Sequence, residues 1–206
     1  GVVVLVEDAL PGQLVRAQVA AVRKSLAEAA LVEVLERSPD EQEPPCPHAG
    51  RCGGCSWQSL AYGRQLAWKE RIVHDALERV GKVACPPMLP ILPSPSEWGY
   101  RNKMEFSFGD EYKDGPLSLG LHKKGSTYDI LNTDDCKLVH PDMTKILVCV
   151  REFFLERNAS FYKKLQHVGY LRHLLLRRGV TSGEILVHVV TTTQEEYDLE
   201  PLKEQL

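Results

Sequence analysis

Cys46, Cys52 and Cys55 lie in one short stretch, Pro45-Cys-Pro-His-Ala-Gly-Arg-Cys-Gly-Gly-Cys-Ser56, and Cys136 is a fourth candidate thiol far downstream. The spacing C-x5-C-x2-C lets three sulfurs converge on one centre without distorting a regular element. Gly50, Gly53 and Gly54 allow the backbone to curl round that centre, because glycine reaches positive φ without steric cost. Thiolates so grouped bind an iron–sulfur cluster or zinc, both of which accept four sulfur ligands. His48 is a reserve ligand for zinc. Two other readings stand beside the metal. The six cysteines, which include Cys85 and Cys149, number enough for three disulfides, but that pattern belongs to small secreted chains. Unrelated buried thiols are the third reading, and it suits Cys149 on the apolar stripe of a predicted helix.

The second set of chemically useful residues is cationic. Arg101 and Lys103 alternate on one face of a predicted strand, Lys123-Lys124 occupy a turn, and Arg172 and Arg177 flank His173 on another strand. The formal net charge is −3, which alone argues against a polyanion ligand. The distribution is uneven, however. Residues 101–178 carry 14 basic and 10 acidic side chains, whereas residues 179–206 carry 1 and 6. Local excess governs where a polyanion docks, although a solvated mixed-charge surface has the same composition.

Regular elements must position these groups. Val2–Val6, Leu14–Val22 and Ala29–Leu35 read as three strands, with Leu10-Pro11-Gly12 as a turn, and suggest an OB-like barrel or part of one. A strand opening at Gly1, without an initiator methionine, suggests that an upstream piece of the barrel is missing. The proline- and acid-rich Ser38–Pro47 segment leads into the cysteine loop. A helix follows, with Tyr62, Leu66, Val73, Ala76, Leu77 and Val80 on one stripe, solvent-facing His74 beside it, and Gly81 as its stop. Pro86 to Pro95 is an extended connector.

From Tyr100 the period becomes two. Tyr100, Asn102, Met104, Phe106 and Phe108 share one face, and Arg101, Lys103, Glu105 and Ser107 share the other. Leu117–His122 and Tyr128–Leu131 continue the sheet, Pro141 opens a second helix, and Tyr170–Arg178 with Glu184–Thr191 forms a final hairpin. The expected fold is α+β, divided as a small β-barrel over 1–40, a cysteine loop, helix and connector over 41–98, and an antiparallel-sheet domain over 99–206. No apolar run approaches the ~20 residues of a membrane-spanning helix. Cysteines kept for a metal suggest a reducing compartment, the cytoplasm or an organellar stroma or matrix.

Cys46-x5-Cys-Gly-Gly-Cys55 with Trp57-Gln58, then Gly99-Tyr100-Arg101-Asn102-Lys103, Asp135-Cys136, and Leu171-Arg172-His173 before Arg177 occur in that order. This series resembles the N-terminal part of an iron–sulfur RNA (uracil-5-)-methyltransferase of the type that methylates uridine in 23S ribosomal RNA. Leu10-Pro11-Gly12 and Ser38-Pro39 resemble that family's TRAM domain, an OB-like RNA-binding barrel. The resemblance covers nearly the whole chain. It implies a 4Fe–4S cluster on Cys46, Cys52, Cys55 and Cys136, with Cys136 preferred to Cys85 and Cys149 by the family pattern. It also implies RNA contacts from Arg101, Asn102, Lys103, Lys123, Lys124, Arg172, His173 and Arg177. Family members continue into a Rossmann-like domain that binds S-adenosylmethionine and carries the nucleophilic cysteine and the base. No residue here is assigned to those steps, so the expectation is a monomeric RNA-recognition portion, inactive alone, whose partner is the methyltransferase domain. A stand-alone metal-dependent RNA-binding or redox-sensing module is the alternative.

Overall fold

The computed structural model describes residues 2–206, so the expected strand start at Gly1 lies outside the described residues. The chain folds as two compact units that do not follow sequence order: residues 1–44 with 56–94, and residues 45–55 with 95–206. Sequence boundaries at 40/41 and 98/99 cut the chain differently. The structure groups the cysteine loop with the C-terminal sheet and the first helix with the N-terminal strands.

In the first unit, β1 (Val3–Glu7), β2 (Leu14–Arg23) and β3 (Leu26–Glu36) form one sheet in the order β1-β3-β2. β2 and β3 are an antiparallel hairpin, whereas β1 pairs parallel to β3. The three strands are an open sheet, and within them only Ala27 and Ala29 are buried. Gly12 has φ +88°, and a Cβ there would stand 2.8 Å from Ser38 Oγ, so the turn before β2 requires glycine. Helix α1 (Tyr62–Asp75) continues into a π-helical turn over Ala76–Val80. Gln65 Nε2 ties the first turn down by donating to the carbonyls of Leu60 (2.8 Å) and Trp57 (3.1 Å). No side chain of α1 is fully buried: Tyr62 and Leu66 of the expected apolar stripe are half-buried, and Val73 and the following Leu77 and Val80 are exposed. His74 is solvent-facing as expected, 3.5 Å from Glu78. Gly81 does not supply a left-handed stop, since its φ is −72°. Lys82 takes the positive φ instead, at +52°.

The second unit is built on an antiparallel sheet in the order β6-β5-β4-β7-β8. Its strands are β4 (Lys103–Gly109), β5 (Ser118–His122), β6 (Ile130–Asn132), β7 (Leu171–Arg178) and β8 (Ile185–Thr191). Met104, Phe106 and Phe108 alternate inward from β4 as the period of two requires. They meet helix α2 (Pro141–Glu156), whose Met143, Leu147, Val150, Phe153 and Phe154 recur at steps of four, three, three and one. His140 caps α2 by accepting from Asp142 N through Nδ1, and Pro141 occupies the first turn, where no N–H is needed. Phe154 centres the core, edge-on to Phe108 at 5.9 Å and to Tyr197 at 6.1 Å. A short α3 (Glu200–Gln205) buries Leu202 in the same core and was not expected from sequence. No helix among the described residues is long and apolar enough to cross a membrane.

Candidate functional site

The cysteine loop is stitched to the β5–β6 hairpin. Gly53 N donates to His122 O at 2.9 Å, Lys124 N donates to Arg51 O at 2.7 Å, and Cys52 bridges Lys123 in antiparallel register. A Cβ on Gly53 would meet His122 O at 3.3 Å, so glycine permits this approach. Within the loop, His48 O accepts from Cys52 N at 2.9 Å, and Gly54 N donates to Cys52 Sγ at 3.3 Å. Cys136 comes from the other side, after β6, where its N–H donates to Thr133 O. Arg151 of α2 fixes that turn from below, ion-paired with Asp134 and, at 3.0 Å, with Glu152.

All six cysteines are free thiols. Burial pushes the Cys136 thiol up, the Leu138 N–H opposes this, and the charges of Cys46, Cys52 and Cys55 raise it further. Cys52 is raised in the same way by burial and by Cys55 and Cys46, against the Gly54 N–H. Cys52 and Cys136 thus each lie within electrostatic reach of the other loop cysteines, whereas the Cys149 thiol is raised by burial alone. Among the described residues, no three His, Cys, Asp or Glu side chains form a group placed to hold a metal ion. His48 Nε2 lies buried beside the loop without a hydrogen-bond partner.

The cationic residues divide into groups. On the face of the sheet opposite α2, Lys103 stands across from Arg177, and Ser107 across from His173. Like charges directly opposed on paired strands are unfavourable, so the Lys103–Arg177 pair is a place where an anion would relieve repulsion. Arg101 bridges Val139 just before β4, and Asn102 O accepts from Arg178 N at 2.7 Å. Arg101, Asn102 and Lys103 are all exposed. Lys123 and Lys124 instead sit in the turn that the cysteine loop braces.

Arg172 and His173 would point to opposite faces on a regular strand. A β-bulge changes this, because β7 advances from Leu171 to His173 while β8 advances only from Thr191 to Val190. Leu171 and Leu174 remain buried, and both Arg172 and His173 line a cavity of about 290 Å³. The cavity also takes in Phe161, Tyr162, Lys164 and His122, which sequence reasoning did not single out. The Phe161-Tyr162-Lys163-Lys164 run, rings followed by cations, was the available signal. Burial lowers the pKa of His173, with Glu105 opposing and Arg172, Lys164 and His122 reinforcing the fall. Burial and Lys164 lower that of His122.

No protein-family model matches the chain. The chain is 45% identical over 97% of its length to an uncharacterized RNA methyltransferase of Caldanaerobacter subterraneus subsp. tengcongensis, and it covers 44% of that protein. An uncharacterized RNA methyltransferase of Clostridium acetobutylicum is 45% identical over 98% of this chain and 44% of its own length. The fold is also that of part of a solved structure, the Pyrococcus abyssi tRNA (uracil-54, C5)-methyltransferase in complex with S-adenosyl-L-homocysteine. That match has a TM-score of 0.69 at 24% identity and covers 98% of this chain and 44% of the other. The chain is therefore a homologue of proteins named RNA methyltransferases and spans a little under half the length of these curated relatives.

Proposed function

We propose that these 206 residues are the RNA-recognition and iron–sulfur portion of an S-adenosylmethionine-dependent RNA (uracil-5-)-methyltransferase acting on ribosomal RNA. The observation that carries this reading is the shared face of Lys103, Arg172, His173 and Arg177 on one antiparallel sheet, with Arg101 just before β4, in a chain whose relatives are named RNA methyltransferases. An enzyme that modifies one base in folded RNA must grip phosphates and present an unstacked nucleotide. Fixed cations and rings on a sheet serve that task better than mobile loops. Residues 1–40 take the part of a TRAM-like RNA-binding element.

Cys46, Cys52, Cys55 and Cys136 are the residues that would hold a 4Fe–4S cluster, a reading supported by their sulfur donors and by the influence of the other loop cysteines at Cys52 and Cys136. When bound, such a group cross-links the loop at 46–55 to the turn after β6 and so fixes the hairpin that bears Lys123 and Lys124. The unpartnered Nε2 of His48 favours zinc as a second reading of the centre. Methyl transfer belongs to a cofactor-binding domain to which no residue of this chain is assigned.

The test uses the chain purified without oxygen and mixed with a ribosomal RNA fragment and labelled S-adenosylmethionine. It should carry iron and acid-labile sulfide, slow the RNA on a native gel, and transfer no label. Stoichiometric zinc without iron would select the second reading of the centre. Methylation by these residues alone, or failure to shift RNA, would contradict the functional reading.

A further inference from the structure

The cavity beside the β7 bulge has a composition that the sheet surface lacks. It is bounded by the ends of β4, β5, β6 and β7, by the turns after β4 and before β6, and by the loop between α2 and β7. Lys164 and Arg172 line it without an ion-pair partner among the described residues, although Asp110, Asp114 and Asp129 share the lining and Asp114 holds neighbouring Lys163 at 3.7 Å. The Arg172 guanidinium lies over the Tyr162 ring at 5.0 Å, which limits its motion without neutralising it. His122 Nδ1 is buried and has no hydrogen-bond partner, an uncommon state for a polar atom that is not waiting for a ligand. His173 Nδ1 has only a 3.4 Å approach from Ser107 Oγ and a 3.7 Å approach from Glu105. Half-buried Phe161 and exposed Tyr128 add aromatic surface.

Resting on the RNA-recognition reading, we propose that this cavity holds a single nucleotide of the RNA strand, with its phosphate on Lys164 and Arg172 and its base against the rings of Phe161 and Tyr128. The volume of about 290 Å³ sits at the lower end of small-molecule sites, which run from ~300 to ~1,000 Å³. Inorganic phosphate satisfies the two cations but leaves the apolar wall wet, and an uncharged base does the reverse. Only a planar ring joined to an anion meets both. The imidazoles of His122 and His173, held neutral by burial, each offer one donor and one acceptor to a base edge or ribose hydroxyl. A free nucleotide and a nucleotide within a strand share this chemistry, so the experiment separates them.

The probes are uridine 5′-monophosphate, adenosine 5′-monophosphate, their nucleosides, inorganic phosphate and an RNA hairpin, each titrated into the full 206-residue chain by calorimetry. At least one nucleotide should bind saturably, about tenfold or more tighter than its nucleoside or phosphate alone. Lys164→Ala, on an exposed loop where folding is not at risk, should weaken both that nucleotide and the hairpin by about tenfold. Lys203→Ala, paired with Glu200 on α3, should change neither. Wild-type hairpin affinity in Lys164→Ala, or a hairpin bound without any saturable nucleotide binding, would overturn the cavity proposal and leave the RNA reading standing. A nucleotide bound without any hairpin would overturn the assignment to an RNA strand. Binding of neither would overturn the RNA reading as well.

Discussion

His173 shows how one side chain can report on its surroundings. Its ring lies in the sheet surface between Ser107 and Glu105, and burial keeps its pKa below the ordinary 6.5 despite the carboxylate. An unfolded chain takes up this proton first. The preference for the neutral ring therefore stabilises the fold fully above pH 6.5 and is lost as pH falls through the lowered folded value. His173→Gln should accordingly flatten the fall in thermal stability between about pH 7 and 5, leaving the smaller slope that His122 contributes. Melting curves at half-unit pH intervals check this. Parallel profiles for wild type and variant would mean that the imidazole is not held neutral. The resemblance already names Arg172 and His173 together, but that they line one cavity was not legible from period, because strict alternation separates them and only the bulge brings them to one side.

At the scale of elements, the segment from Phe161 to Leu171 carries six of the nineteen residues that line the cavity. Phe161 bridges Leu171 and Lys163 bridges Val168, so the chain doubles back over a tight loop tipped by Lys164. Gly169 permits this closure, with φ +114° and Phe161 O only 2.1 Å from where a Cβ would stand. Gly169→Ala should cost at least about 1–3 kcal/mol from backbone strain, lower the melting temperature by several degrees, and loosen Lys164. Gly125→Ala is the comparison, since Gly125 has a similar sign of φ, +73°, but open space around it. Equal melting temperatures for the two variants would show that the contact with Phe161 is not limiting. The strands themselves were readable. The alternation of Met104, Phe106 and Phe108 and the Pro141 start of α2 follow from period and capping. The exposure of the second half of the α1 stripe was not, because Val73 and Leu77 have helical spacing whether or not anything covers them. Nor was the end of α1, where a π-helical turn and Lys82 replace a left-handed Gly81.

At the scale of the molecule, the cysteine loop joins the unit that carries the cations, although 39 residues of the other unit, 56–94, separate them in sequence. Residue types and spacing named the four thiols, but only the fold shows that the loop braces the Lys123–Lys124 turn and that Arg151 holds the turn bearing Cys136. The charge pattern has the same origin. A net −3 chain concentrates basic residues over 101–178, and the sheet gathers several of them on the face away from α2. RNA binding through that face is the central claim, and salt dependence tests it most directly. Fluorescence anisotropy of the wild-type chain with a labelled RNA hairpin, from about 50 to 200 mM salt, should show affinity falling roughly 20- to 50-fold, as three to four phosphate contacts at a slope of ~0.7 each require. Arg101→Ala and Arg172→Ala should each reduce the slope by about one contact. Binding that does not change with salt, or that keeps its full slope in both arginine variants, would contradict the account.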